Sequence, residues 1–156
     1  MSARHDQDRV QLFTFSVPGL LNTDLAITQY EVVSISGLQE VSPVPLTPPY
    51  ILGISAWQEE VLAVIDLAVL LSPQDGLSSR PRTSEHYLVC RTVGNNRSEL
   101  LAWPIMSGAR VLTAPGVVST GDLPEGFDPT AFHAILDLSG QPLLLLNLSS
   151  LASSVS

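Results

Sequence analysis

The chain has 156 residues, 45% of them hydrophobic and 14% charged, with 15 acidic against 7 basic side chains and a formal net charge of -8. A chain of this length buries about two-thirds of its unfolded surface on folding, so one domain or two small fused halves are expected and general disorder is excluded. The basic residues are all arginine, and the acidic balance repels a nucleic-acid backbone, which excludes nucleic acid as a partner.

Residues 1–9 are polar and charged; they are expected to be flexible, and they lack the apolar core of a secretion signal. No run reaches the roughly twenty uncharged apolar residues that span a membrane, because Glu59, Glu60 and Asp66 interrupt the strongest candidate, so a cytoplasmic protein is expected. Val10 to Val17, VQLFTFSV, reads as a strand that ends at Pro18-Gly19. Leu25 to Thr28 and the β-branched stretch through Val32, Val33 and Ile35 continue the strand pattern. The next segment, VSPVPLTPPY from Val41 to Tyr50, carries four prolines and is an extended connector, since each proline fixes its own φ and biases the residue before it away from helix.

The central unit is Tyr50 to Ser72, YILGISAWQEEVLAVIDLAVLLS. Gly53 between isoleucines marks a bulge or a close backbone approach. Glu59-Glu60 mark a hairpin turn before the strand Val61 to Ile65, and Asp66 caps a short helix from Leu67 to Leu71. The unit returns in QPLLLLNLSSLAS: subtracting 81 places Leu143 on Leu62, Leu146 on Ile65, Leu148 on Leu67 and Asn147 on Asp66. Two related halves are therefore expected.

Between the copies, SPQDGLSSRPRTSEH has no hydrophobic periodicity and reads as a long surface loop. A hairpin follows, Tyr87 to Val93 and Leu100 to Ile105 around Gly94-Asn95-Asn96, then short strand candidates at Ala109 to Leu112 and Val117-Val118. Phe132 to Leu138 alternates with period two and turns at Ser139-Gly140 into Leu143 to Leu146. Residues 152–156 are expected to be a flexible tail. Many short strands with almost no amphipathic helix predict an all-β architecture, with barrels favoured because closure removes exposed edges.

The side chains that carry chemistry do not assemble into a catalytic pattern. His5, His86 and His133 have no metal-site spacing, and Cys90 in YLVC reads as a buried small hydrophobe. Asp66 and Asp137 are explained by capping and turns, while Arg80 and Arg82 fall in the loop. No enzyme, metal or cofactor is expected. Trp57 beside Gln58, Glu59 and Glu60 is either a core residue or an interface anchor, since aromatic side chains are enriched at interface centres.

Gly53 to Leu71 resembles the central motif of CheW-like domains, the adaptor domains of bacterial chemosensory systems. That motif runs glycine, two aliphatics, asparagine, an aliphatic, arginine and glycine, then valine, proline-valine and an aliphatic-Asp-Leu triplet. Here it reads Gly53, Ile54, Ser55, Ala56, Trp57, Gln58 and Glu59, then Val61, Ala63-Val64 and Ile65-Asp66-Leu67. Gln58 stands where the family has arginine, Glu59 where it has glycine and Ala63 where it has proline. The resemblance extends over residues 10–151. It implies two small intertwined SH3-like five-stranded β-barrels packed together, with no catalysis and no cofactor. It further implies a scaffold that couples a sensory receptor to a CheA-like histidine kinase. Trp57, Gln58, Glu59 and Val61 are the expected contact residues, with Gly53, Asp66 and Asn147 structural; exchanging arginine for an amide and adding a carboxylate implies an altered partner preference. The alternative is a divergent β-barrel module that binds another protein or a small ligand without coupling receptor to kinase.

Overall fold

The computed structural model describes residues 9–20, 23–38, 40–71, 85–94, 97–106, 108–115, 123, 126–138 and 141–155. These described residues form ten strands in two five-stranded mixed sheets. In chain order they are β1 (Arg9–Phe15), β2 (Asp24–Thr28), β3 (Val32–Ser36), β4 (Ile51–Trp57), β5 (Glu60–Ile65), β6 (His86–Gly94), β7 (Arg97–Ile105), β8 (Arg110–Pro115), β9 (Phe132–Leu138) and β10 (Gln141–Leu146). Helix α1 (Leu67–Leu71) follows β5, and α2 (Leu148–Val155) follows β10. Val117-Val118, Ser139-Gly140 and nearly all of the long loop lie outside the described residues.

The first sheet has the order β8-β1-β2-β10-β9 and the second β3-β6-β7-β5-β4. The two orders are equivalent under a shift of the chain by half its length, so each sheet combines the first hairpin of one half with three strands of the other. In each sheet the two contributions meet at one antiparallel seam, β8 beside β1 and β3 beside β6, and at one parallel seam, β10 beside β2 and β5 beside β7.

The repeat holds in the backbone bonds as well as in the order of strands. Asp66 N–H donates to the Tyr50 carbonyl at 2.7 Å, and Asn147 N–H, 81 residues on, to the Ala131 carbonyl at 2.8 Å. The first helical bond, Leu70 N–H to the Asp66 carbonyl, is 3.1 Å, as is Leu151 N–H to the Asn147 carbonyl. Each cap accepts in the same way, Asp66 Oδ1 from Val69 N–H at 3.3 Å and Asn147 Oδ1 from Ser150 N–H at 3.2 Å. These bonds satisfy donors that a helix start otherwise leaves open. Each helix end is closed by the other half's connector: Leu71 O accepts from Asp128 N–H at 3.1 Å, and Ser154 O from the Tyr50 hydroxyl at 2.7 Å.

A shared core lies between the sheets. Phe13, Phe15, Leu25 and Ile27 of the first meet Leu88, Cys90, Leu101 and Trp103 of the second, with Leu67, Leu71, Leu148 and Leu151 sealing it from the helices. Each sheet has a smaller cluster on its other face. In the second sheet this comprises Leu62, Val64, Tyr87, Val89, Leu100 and Ala102. In the first it comprises Leu12, Ala26, Leu136 and Leu143.

The expected five-stranded barrels do not form. Among the described residues neither sheet closes: β3 and β4 are the two end strands of one and do not pair with each other, nor do β8 and β9 of the other. The reason is visible between β3 and β4. Ser42 in the proline-rich connector occupies the outer edge of β4, exchanging bonds of 2.9 Å with Ile54 in both directions. The prolines that follow have no N–H with which to extend a ladder across to β3. β3 is five residues long and carries a register irregularity between Val32 and Ser34, both of which blunt an open edge.

Candidate docking surface at the central hairpin

The turn joining β4 to β5 is one residue earlier than the glutamate pair suggests. Trp57 pairs with Glu60, leaving Gln58 and Glu59 as a two-residue loop, and both have positive φ, 46° and 67°. That is the backbone of a type I′ hairpin turn, which twists with the strands it joins and prefers Asn-Gly because a Cβ is strained there. Glu59 thus occupies a position where glycine is the unstrained residue. Both side chains are exposed.

Pleating separates the four expected contact residues. Ser55 and Trp57 pair with Leu62 and Glu60 on one face of the hairpin; Ile54 and Ala56 pair with Ala63 and Val61 on the other. Trp57 is half-buried against the cluster of Leu62, Val64 and Tyr87. Val61 is 70% exposed. Gln58 and Glu59 lie at the tip between the two faces.

Val61 borders an open groove of about 330 Å³ formed by β5, β7 and the end of α2. Val61, Ala63, Leu100 and Val155 supply apolar lining, and Glu60 and Glu99 supply carboxylates. Arg91 Nη2 bonds Glu60 Oε2 at 3.1 Å with both side chains over a third exposed, a pair worth at most about 1 kcal/mol. Glu59 has no ion pair among the described residues, so the hairpin end is acidic overall.

Gly53 lies where the hairpin comes closest to the proline-rich connector. The register shifts between Ile51 and Gly53, and a Cβ on Gly53 would overlap the Ser42 carbonyl oxygen, so the bulge and the close approach coincide at one glycine. Two residues on, the buried Ser55 hydroxyl donates to the Glu40 carbonyl at 2.7 Å. Asp66 is buried and Asn147 half-buried in their capping positions.

The remaining candidates do not meet. Cys90 is buried, and its thiol pKa is raised well above the ordinary value, first by burial and then by the Glu31 carboxylate, so it is a packing residue rather than a nucleophile. His86 and His133 are exposed on β6 and β9 of different sheets. Among the described residues no three His, Cys, Asp or Glu side chains converge as a metal site. His5, Arg80, Arg82 and the Asp137 side chain lie outside the described residues. Glu99, Leu100 and Val155 escaped the sequence reading because they reach the groove only through the parallel β5/β7 pairing and the docking of α2, neither of which leaves a local signal.

A family model described as CheW-like domain matches residues 11–156. The fold is similar to the crystal structure of the scaffolding protein TtCheW from Thermoanaerobacter tengcongensis, with a TM-score of 0.68, 16% identity, and coverage of 89% of this chain and 84% of that one. Comparison with curated proteins gives no match. Among the described residues no helix is long and apolar enough to cross a membrane.

Proposed function

The chain belongs to the CheW-like domain family, and on that premise we propose that the tip of its central hairpin and the adjoining groove dock the proteins it couples. It is a non-catalytic adaptor of chemosensory signalling. Proteins of this family bridge a CheA-type histidine kinase and chemoreceptors; for this chain, those two partner classes are the proposal. The observation that carries the reading is the combination at one end of the hairpin of an exposed, strained Gln58-Glu59 turn with Val61 standing 70% exposed over an apolar, acid-bordered groove. An apolar centre with a polar border is the anatomy of a protein interface, and the openness of the groove to solvent supports a protein segment over an enclosed small ligand. Val61 supplies buried area, Gln58 directional hydrogen bonds and Glu59 selection by charge, while Trp57 braces the hairpin from its other face.

The test is direct binding of the purified chain to a chemosensory histidine kinase and to a receptor signalling tip, with Val61→Asp and Gln58→Arg beside it. Val61→Asp is expected to weaken binding about tenfold or more with the fold intact, since it places a charge in a desolvated contact. Gln58→Arg is expected to shift the preference between partners. Unchanged binding by both variants would remove the hairpin end from the interface.

A further inference from the structure

We propose that Tyr50 is a positioning residue of the docking groove: its hydroxyl pins the last turn of α2 and so keeps Val155 in the groove wall. The proposal rests on the groove reading above. Tyr50 is half-buried immediately before β4, and its hydroxyl donates to the Ser154 carbonyl at 2.7 Å across a separation of 104 residues. Val155, the next residue, ends α2 and lines the groove with Val61.

The end of α2 needs a hold from outside because its own sequence supplies little. The helix has eight residues, LSSLASSV, a length at which an isolated helix does not persist in water. Four of the eight are serine, and Ser153 and Ser154 turn their hydroxyls back to the carbonyls of Ser149 and Ser150 at 3.1 and 3.2 Å, a contact that slightly destabilises a helix. The fully buried residues end at Ala152, and no basic side chain stands in the last turn to meet the carbonyls left open there. Tyr50 meets one of them.

The other half closes its helix differently. At the offset of 81 residues Tyr50 corresponds to Ala131, and the carbonyls of both accept from the residue that caps the following helix. Ala131 has no hydroxyl, and the end of α1 is closed by a backbone donor, Asp128 N–H to the Leu71 carbonyl. That bond does not depend on a side chain, whereas the one at α2 exists only because residue 50 is tyrosine. Tyr50 therefore ties the start of α1, through its carbonyl, to the end of α2, through its hydroxyl, beside the groove wall.

The experiment compares the full chain with Tyr50→Phe, Val155→Ala and the double variant by hydrogen exchange across α2, thermal unfolding, and calorimetric titration with a purified chemosensory histidine kinase and a receptor signalling tip. Val61→Asp is the groove control. Tyr50→Phe is expected to speed exchange of the amides from Ser153 to Val155, leave Tm close to wild type, and weaken the binding that Val61→Asp weakens by about threefold to tenfold, as loss of one hydrogen bond implies. In the Val155→Ala chain the same change should cost little more, because both substitutions act through one side chain. A merely structural tyrosine would shift Tm and show no such coupling. Unchanged exchange overturns the latch; faster exchange with unchanged binding, or additive losses in the double variant, overturns the positioning role while the groove reading stands. Binding absent from the wild-type chain, or indifferent to Val61→Asp, overturns the groove reading and this one with it.

Discussion

The units β4-β5-α1 and β9-β10-α2 keep the same backbone bonds at a constant offset of 81 residues, yet they differ wherever the backbone makes no demand. Both start their helix from a carboxylate or amide cap and a carbonyl bond of 3.1 Å. Their sequences have diverged: at the same offset Gln58-Glu59 of the first corresponds to Ser139-Gly140 of the second, so glycine stands in the sequence where the first carries a strained, exposed glutamate. Val155 of the second helix has a side chain that lines the groove beside Val61. Bonds that start a helix or build the hairpin ladder are held in common, and differences fall at the hairpin end proposed for docking.

The comparison is tested most severely in the core. Leu67 and Leu148 are equivalent and each is 1% exposed, so alanine at either is expected to cost about 3 kcal/mol, measured by denaturant unfolding. Similar losses would establish that the two copies carry equal weight; tolerance of one and not the other would show that equivalent positions contribute unequally to stability. Next come the caps. Asp66→Ala is expected to cost about 2 kcal/mol and Asn147→Ala about 1 kcal/mol, because Asp66 is buried and Asn147 only half so. The reverse order would show that burial does not set the value of the cap.

Glu59→Gly, which places glycine at a left-handed turn position, is expected to stabilise the fold by about 1 kcal/mol and raise Tm by about 2–4 °C. No change in Tm would mean that glutamate meets no strain at φ 67°. The smallest effect is at Cys90. With its thiol pKa raised by burial and by Glu31, the folded chain holds the proton more tightly than the unfolded one. Stability is therefore flat below the ordinary thiol range and falls as pH rises through it, while alkylation proceeds only as fast as the chain opens. Rapid labelling of the folded protein at neutral pH would contradict the burial.

Much of this was legible from consecutive residues. The helix from Leu67 to Leu71, its Asp66 cap, the bulge at Gly53 and the turn-bounded strands all follow from local spacing and backbone chemistry, and the family pattern around Gly53 to Leu67 pointed to the adaptor fold. The closed barrels were wrong because closure depends on what reaches a sheet edge. An exposed edge favours closure only where the route to it is free, and here Ser42 and the prolines after it occupy that route. The residues proposed as hairpin contacts do not form one face, since the one-residue shift of the turn and the pleat put Trp57 and Val61 on opposite sides.

By itself, then, the sequence determined the elements, their caps and the internal repeat, because periodicity, proline, glycine and a capping carboxylate act within a few residues. Only the tertiary structure decided that each half lends its first hairpin to the other's sheet, that each helix end is closed by the opposite connector, and that Val61, Glu99 and Val155 border one groove. Those outcomes rest on pairings between residues far apart in the chain, where the burial gained by one long-range arrangement over another leaves no mark on the local pattern.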